Sequence, residues 1–371
     1  MSERKREEAT EVTDKDLAIN LRWFDGSFDQ TEAEMTIGLT WALSYLGAEI
    51  PEGAMKRAII HRQNKVFSLD LSQVGFQKFA LDALSVVINK IKKSEAYQVN
   101  GYAEVGRFIM LTLNSSHHYF EIVGIPKTLN EFTKQYPFKG KYVRIVNSTI
   151  SKVNRLIEIS EPANAEQIAY FSTEGTGDFE KGTFKAEEFE VIDYMPNGQF
   201  RFGIYDLNGQ LKAAANEEVT NAGKTAKCVW CHEITLIPFF KDMPVLPGDS
   251  FISEQDFLDI RIAFMSMISD HRDGLSGDVD YTEGQDHAFM EAIYIDFMEP
   301  PLERIAEELG LSVEETKLKL EGLPTHTQPE VGFENLYDRK DIDPLLSYEV
   351  AKVPESAREF SQNEPNYFSQ F

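Results

Sequence analysis

Cysteine is almost absent from this chain: among 371 residues only Cys228 and Cys231 occur. Two thiols cannot staple a chain of this length at several points, so its fold must rest on buried apolar surface. Hydrophobic residues at 42% and aromatic residues at 12% are those of an ordinary globular core rather than a disordered chain. Long apolar runs are lacking as well. The nearest, Met35 to Ile50, is broken by Thr36, Thr40, Ser44 and Glu49, short of the roughly 20 apolar residues that span a bilayer. Positive charge is scarce: 37 Lys and Arg against 61 Asp and Glu leave a formal net charge of −24, which repels phosphate backbones and excludes nucleic acid as the expected partner. No catalytic triad, phosphate-cradling glycine loop or HExxH pair is present. His232-Glu233 begins like the last of these, but Leu236 stands where the second histidine belongs.

What is there is concentrated. The two cysteines fall as Cys228-Val229-Trp230-Cys231-His232, the spacing of covalent c-type haem attachment. Two thiols three residues apart on one turn can each add to one of the two vinyl groups at the haem edge, and the adjacent histidine then lies under the ring as proximal iron ligand. Haem c is therefore the expected cofactor, held by Cys228, Cys231 and His232. Two other readings use the same residues. A redox dithiol normally opens a helix after a buried strand in a βαβ unit, and that alternation does not surround this motif. A structural zinc needs a fourth ligand, which His287 or His326 would have to bring from far along the chain. A non-haem interaction protein with a zinc or thiol site thus stays the alternative.

Periodicity divides the chain into an α+β arrangement of three regions: helical over 1–137, β-sheet and haem attachment over 138–250, and an acidic helical region with an irregular or docked tail over 251–371. In the first, Ser72 is read as capping a helix that runs to Lys93, and a second helix covers Ala103 to Leu113 before the turn-forming Asn114-Ser115-Ser116. In the second, antiparallel strands are expected at Tyr142 to Val146, Arg155 to Ile159, Glu188 to Tyr194 and Gln199 to Tyr205, with Phe200, Phe202 and Ile204 on one face and Arg201, Gly203 and Tyr205 on the other. Gly223, Lys224 and Lys227 then suggest an exposed approach to the haem motif. In the third, helices are expected near 253–272 and 286–298.

The order of strand 201–206, an Asn208-Gly209 turn, a short Gly/Lys-containing spacer and then CxxCH resembles the end of the small β-sheet c-type cytochromes, over residues 183–232. In that family the haem is also cross-linked to a lysine and the proteins oxidise hydroxylamine or nitrogen oxides. The resemblance implies Cys228 and Cys231 as thioether attachments and His232 as proximal ligand, with Lys181 and Lys185 near the strand that would carry the cross-link. Those proteins end soon after the motif, whereas 139 residues follow His232 here, and the whole chain more nearly resembles large bacterial proteins with one haem c site in their middle. Haem c proteins mature outside the bacterial cytoplasm, so the implied location is periplasmic if a signal or lipid anchor has been trimmed from the start. The charged stretch Met1 to Asp16 has no apolar core of its own and by itself reads as cytoplasmic.

The sixth iron position separates electron transfer from catalysis or sensing. His117 and His118, beside Tyr119, are candidate distal or catalytic groups, with Arg107 ten positions earlier to assist an anionic ligand, while Met243 and Met298 are alternative iron ligands. Residues 251–300 hold twelve acidic side chains and two basic ones, Arg261 and Arg272, a face that suits a basic redox partner. The stretch Leu302 to Leu320 looks like a helix-turn-helix with a Ser312/Glu315 capping box, but Glu314, Glu315 and Glu321 outweigh Lys317 and Lys319, so it reads as a packed helical pair. Asp273, Asp278, Asp280 and Glu283 could offer oxygen ligands to calcium, yet Glu283 stands where the EF-hand turn requires glycine, and a solvated loop is expected.

Overall fold

The protein is described by a computed structural model for residues 17–24, 31–145, 147–148, 150–151, 154–232, 240–242, 250–327, 335–356 and 362–369. It has a mixed α+β fold. Four short strands, β1 (Ala18–Arg22), β2 (Ile59–His61), β3 (Val66–Asp70) and β4 (Ala103–Glu104), form a sheet in the order β2-β3-β1-β4. This sheet corrects the expectation of a purely helical first region. Its strands alternate: Ile19 and Leu21 on β1 and Phe67 and Leu69 on β3 are buried, which is the period-two signal of a half-buried strand.

Around that sheet lie α1 (Glu32–Tyr45), α2 (Ala54–Ala58), α3 (Lys78–Lys92), α4 (Glu95–Asn100), α5 (Val105–Thr112), α6 (Ser116–Val123) and α7 (Leu129–Gln135). Helix α3 begins six residues later than Ser72. Asp70 draws the Ser72 amide into a 3-10 turn, and Gly75 at φ +81° breaks the path before the helix can start. Ala103 and Glu104 are likewise strand, paired with Leu21 and Arg22, so the next helix opens at Val105.

Strands β5 (Phe138–Ile145), β7 (Asn154–Ser160), β8 (Ala169–Thr176), β9 (Lys185–Tyr194) and β10 (Phe200–Tyr205) make an antiparallel sheet in the order β10-β9-β8-β7-β5, and β6 (Asn147–Ser148) pairs with β11 (Phe240–Asp242). Because opposed residues share a face, the pairs Phe202↔Ile192, Glu190↔Ser172, Glu188↔Glu174 and Glu174↔Arg155 put those side chains on one side of the sheet. On the opposite side Arg201 forks onto Asp193 and donates to the Val123 and Gly124 carbonyls, and the Tyr205 hydroxyl donates to Pro126 O at 2.7 Å. Both faces of β10 are thus covered, and Tyr205 is as buried as Phe200.

Helix α8 (Thr225–His232) follows, then α9 (Glu254–Asp273), α10 (His287–Met298), α11 (Leu302–Leu309), α12 (Val313–Lys319) and α13 (Arg339–Ile342). Helix α10 packs between α1 and α5, and each contact carries a glycine. A Cβ on Gly106 would lie 2.3 Å from Phe297 Cβ, and one on Gly38 would lie 2.7 Å from the Phe289 carbonyl. The expected helical pair at 302–320 is present with its Ser312/Glu315 capping box, closed over Ile305, Leu320 and Ile342. Asp278 does not sit in a solvated loop; its carboxylate accepts the Gly53 and Met55 amides at 2.6 and 2.8 Å and so caps α2. Among the described residues no helix is long and apolar enough to cross a membrane.

Candidate functional site

The CxxCH motif forms one and a half turns of α8, which packs on β10. Residues three and four apart share a helix face, so Cys228, Cys231 and His232 project together. Neither cysteine is in a disulfide, and both are half-buried. The His232 ring stacks on Phe202, centroids 5.9 Å apart and planes 22° from parallel. Burial, with the Arg155 charge nearby, holds that imidazole down to about 4, so it is neutral at physiological pH, the form that binds metals. Its Nδ1 is buried with no hydrogen-bond partner among the described residues, a costly condition for a polar atom. Burial, reinforced by Glu190, pushes the Cys228 thiol up, so it stays protonated.

Beneath α8 the sheet presents a buried polar cluster that sequence reasoning missed. Arg155 on β7 pairs with Glu174 on β8 and, at 3.1 Å, with Glu190 on β9. Lys212 reaches Glu188 at 2.6 Å. Ser151 and Ser172 donate to Glu174 at 2.6 and 2.8 Å, and the Asn216 amide donates to Glu188 at 2.8 Å. Three carboxylates therefore face two cations, and Glu188 Oε1 and Glu190 Oε1 have no hydrogen-bond partner among the described residues. Burial, with Glu174 and Glu188 close by, drives the Glu190 carboxyl up to about 8 despite Arg155. The signal was there to read: Ser172, Glu174, Glu188 and Glu190 recur at period two on adjacent strands, with Arg155 in register.

The other expected site residues are scattered. His117 and His118 lie in the first turn of α6 rather than in the turn that ends α5. That turn approaches α8, since Ser116 Oγ lies 3.3 Å from Thr225 Oγ1. The His118 imidazole is committed to hydrogen bonds within the fold. Its Nδ1 donates to Leu111 O at 2.6 Å and its Nε2 accepts the Tyr367 amide at 3.1 Å, so both ring nitrogens are engaged. Burial holds it neutral, down to about 4. His117 is half-buried, and burial lowers its imidazole too. Arg107, expected to assist a ligand, forks onto Asp343 at 2.7 and 2.9 Å, donates to Ala351 O and lies over the Phe297 ring. Met298 is buried at the end of α10, the helix held by α1 and α5. Met243 lies outside the described residues. Lys181 pairs with Asp178, and Lys185 is exposed at the start of β9, whereas Lys212 is the lysine inside the cluster under α8. Lys224, expected on an exposed approach, is fully buried against Glu364.

The three readings of the motif ask different things of the geometry. A nucleophilic dithiol needs a lowered thiol pKa, and that of Cys228 is raised. A zinc site needs a fourth ligand, but His287 packs on Trp41 near Glu291 and His326 pairs with Glu299. No group of three His, Cys, Asp or Glu side chains among the described residues is arranged to hold a metal ion. Compared with known proteins, the chain matches no family model, no curated protein and no solved structure.

Proposed function

We propose that the chain is a single-haem c-type cytochrome, with Cys228 and Cys231 as thioether attachments and His232 as proximal iron ligand, serving electron transfer or redox sensing. The observation that carries this reading is the neutral His232 with a buried Nδ1 that has no partner among the described residues, on the same helix face as Cys231 and the protonated thiol of Cys228. A covalent haem would supply one-electron exchange at that position. The residues' own part is to orient and to exclude water: Phe202 fixes the plane of the imidazole, and β10 closes the inner side of α8. With both His118 ring nitrogens engaged and Arg107 ion-paired, two of the three groups expected to serve a substrate are committed to the fold, which favours an electron carrier or sensor over a catalyst. Acidic side chains at Glu254, Asp256, Asp259, Asp270 and Asp273 on α9 are exposed and suit a basic redox partner. Haem c chemistry places the protein outside the cytoplasm, and the resemblance of residues 183–232 to the β-sheet cytochromes extends to attachment rather than to hydroxylamine oxidation.

The test is to produce the chain alongside a haem-attachment apparatus. The expected product is coloured, shows the sharp reduced band of haem c in the green and weighs more than the polypeptide by one haem. Cys228→Ala with Cys231→Ala should abolish the covalent mass. Colourless protein of bare polypeptide mass would falsify the proposal. Rapid carbon monoxide uptake by the reduced protein would turn it from electron transfer towards chemistry at an open iron.

A further inference from the structure

Residues 362–369 cross the N-terminal ends of both α6 and α8. The Glu364 side chain has no exposed surface, and neither does that of Lys224, with which it pairs. Its other oxygen accepts the His117 amide at 3.0 Å and the Ser115 hydroxyl at 3.3 Å. Gln362 donates to Ala214 O at 2.7 Å. Tyr367 donates its amide to His118 Nε2 and lays its ring 4.4 Å from the imidazole, with Phe368 edge-on at 5.7 Å.

Lys224 is the residue on which α8 starts. Its carbonyl accepts the amides of Lys227 and Cys228 at 3.0 and 3.3 Å, and the Cys228 Sγ lies 3.7 Å from the same oxygen. Glu364 therefore reaches the first cysteine through one intermediate residue. An ammonium buried without its carboxylate is strongly unfavourable. With the segment lifted, Lys224 must move to water and take the first turn of α8 with it. An eight-residue helix cannot hold itself together.

We propose that residues 362–369 are a latch on α8: seated, the segment holds the helix head and shields Cys228 and Cys231; lifted, it frees both thiols. Glu364 is the positioning residue and acts through Lys224. Since the latch lies far downstream of the thiols, they are synthesised before it and stand open in the interval. On the haem c reading given above, and only on it, that interval is when a haem-attaching enzyme meets them.

The experiment uses the full haem-free chain and iodoacetamide, with alkylation of each cysteine followed by peptide mass. Glu364→Ala should be alkylated at Cys228 about 100-fold faster than the wild type, and Glu364→Gln, which keeps a hydrogen-bond acceptor, about tenfold faster. Wild-type rates in both variants overturn the latch. Should the variants lose their fold, hydrogen exchange of the unmodified chain decides instead. Amides of 225–232 and 367–368 are expected to open together and before those of β9, and opening of α8 only in global unfolding overturns the proposal. Both readouts are made without haem, so a colourless protein leaves the latch standing.

Discussion

Two buried ion networks hold this molecule, and they are balanced differently. Around α5, α11 and α13, Arg107, Arg304 and Arg339 meet Glu104, Glu308 and Asp343: Arg339 forks onto Glu308 at 2.7 and 2.8 Å, Arg107 onto Asp343, and Arg304 joins Glu308 to Glu104. Three cations face three anions. Although burial opposes it, Arg339 and Arg304 hold the Glu308 carboxyl down to about 2. Under α8, three carboxylates face two cations, and burial beside Glu174 and Glu188 raises the Glu190 carboxyl, favouring its protonated form. The first network is a fastening between the C-terminal helices and α5; the second lies under α8 with one more carboxylate than it has cations. Equal numbers of charges make structure, while an odd carboxylate leaves a site that exchanges a proton.

The largest test of this contrast is Arg339→Met, which leaves Glu308 buried with half its partners. Urea unfolding should show a loss of about 3–5 kcal/mol, and a loss near zero would mean the network fastens nothing. A smaller effect separates the networks by pH. The folded Glu190 carboxyl sits near 8, above its value in an unfolded chain, so the folded state binds the extra proton and stability falls as pH rises towards 8. Between about pH 6.5 and 8 the wild type should lose roughly 2 kcal/mol that Glu190→Gln does not lose. Glu308 works in the opposite sense: its contribution is present above the ordinary carboxylate range and disappears as pH falls through about 2. The smallest change is Ser172→Ala, which removes one donor to Glu174; calorimetry should register about 1 kcal/mol.

Much of this was legible from sequence, and the failures have physical causes. Helices α9 and α10 and strands β9 and β10 follow the expected pattern because periodicity is strong there and turns or caps bound them. Strand β8 went unassigned because Ser172, Glu174 and Gly175 dilute its apolar and β-branched signal, although tertiary pairing on both sides makes the segment strand. The N-terminal sheet was overlooked because strands of two to five residues carry too few alternations to compete with the helical runs beside them. At the site, Cys228, Cys231 and His232 needed only local spacing. His118 looked available because sequence cannot show that Tyr367, far along the chain, supplies the proton its Nε2 accepts. Arg107 was misplaced for the same reason, its partner being Asp343.

The two glycine contacts of α10 have a practical consequence for anyone who would divide this protein. A polypeptide stopped at residue 250 would keep α1 and α5 but leave the slot between them vacant, with Gly38 and Gly106 at its floor and no side chain of their own to fill it. Such a fragment offers a ready seat to any stray amphipathic helix, so the CxxCH segment is best studied with the acidic helices still attached.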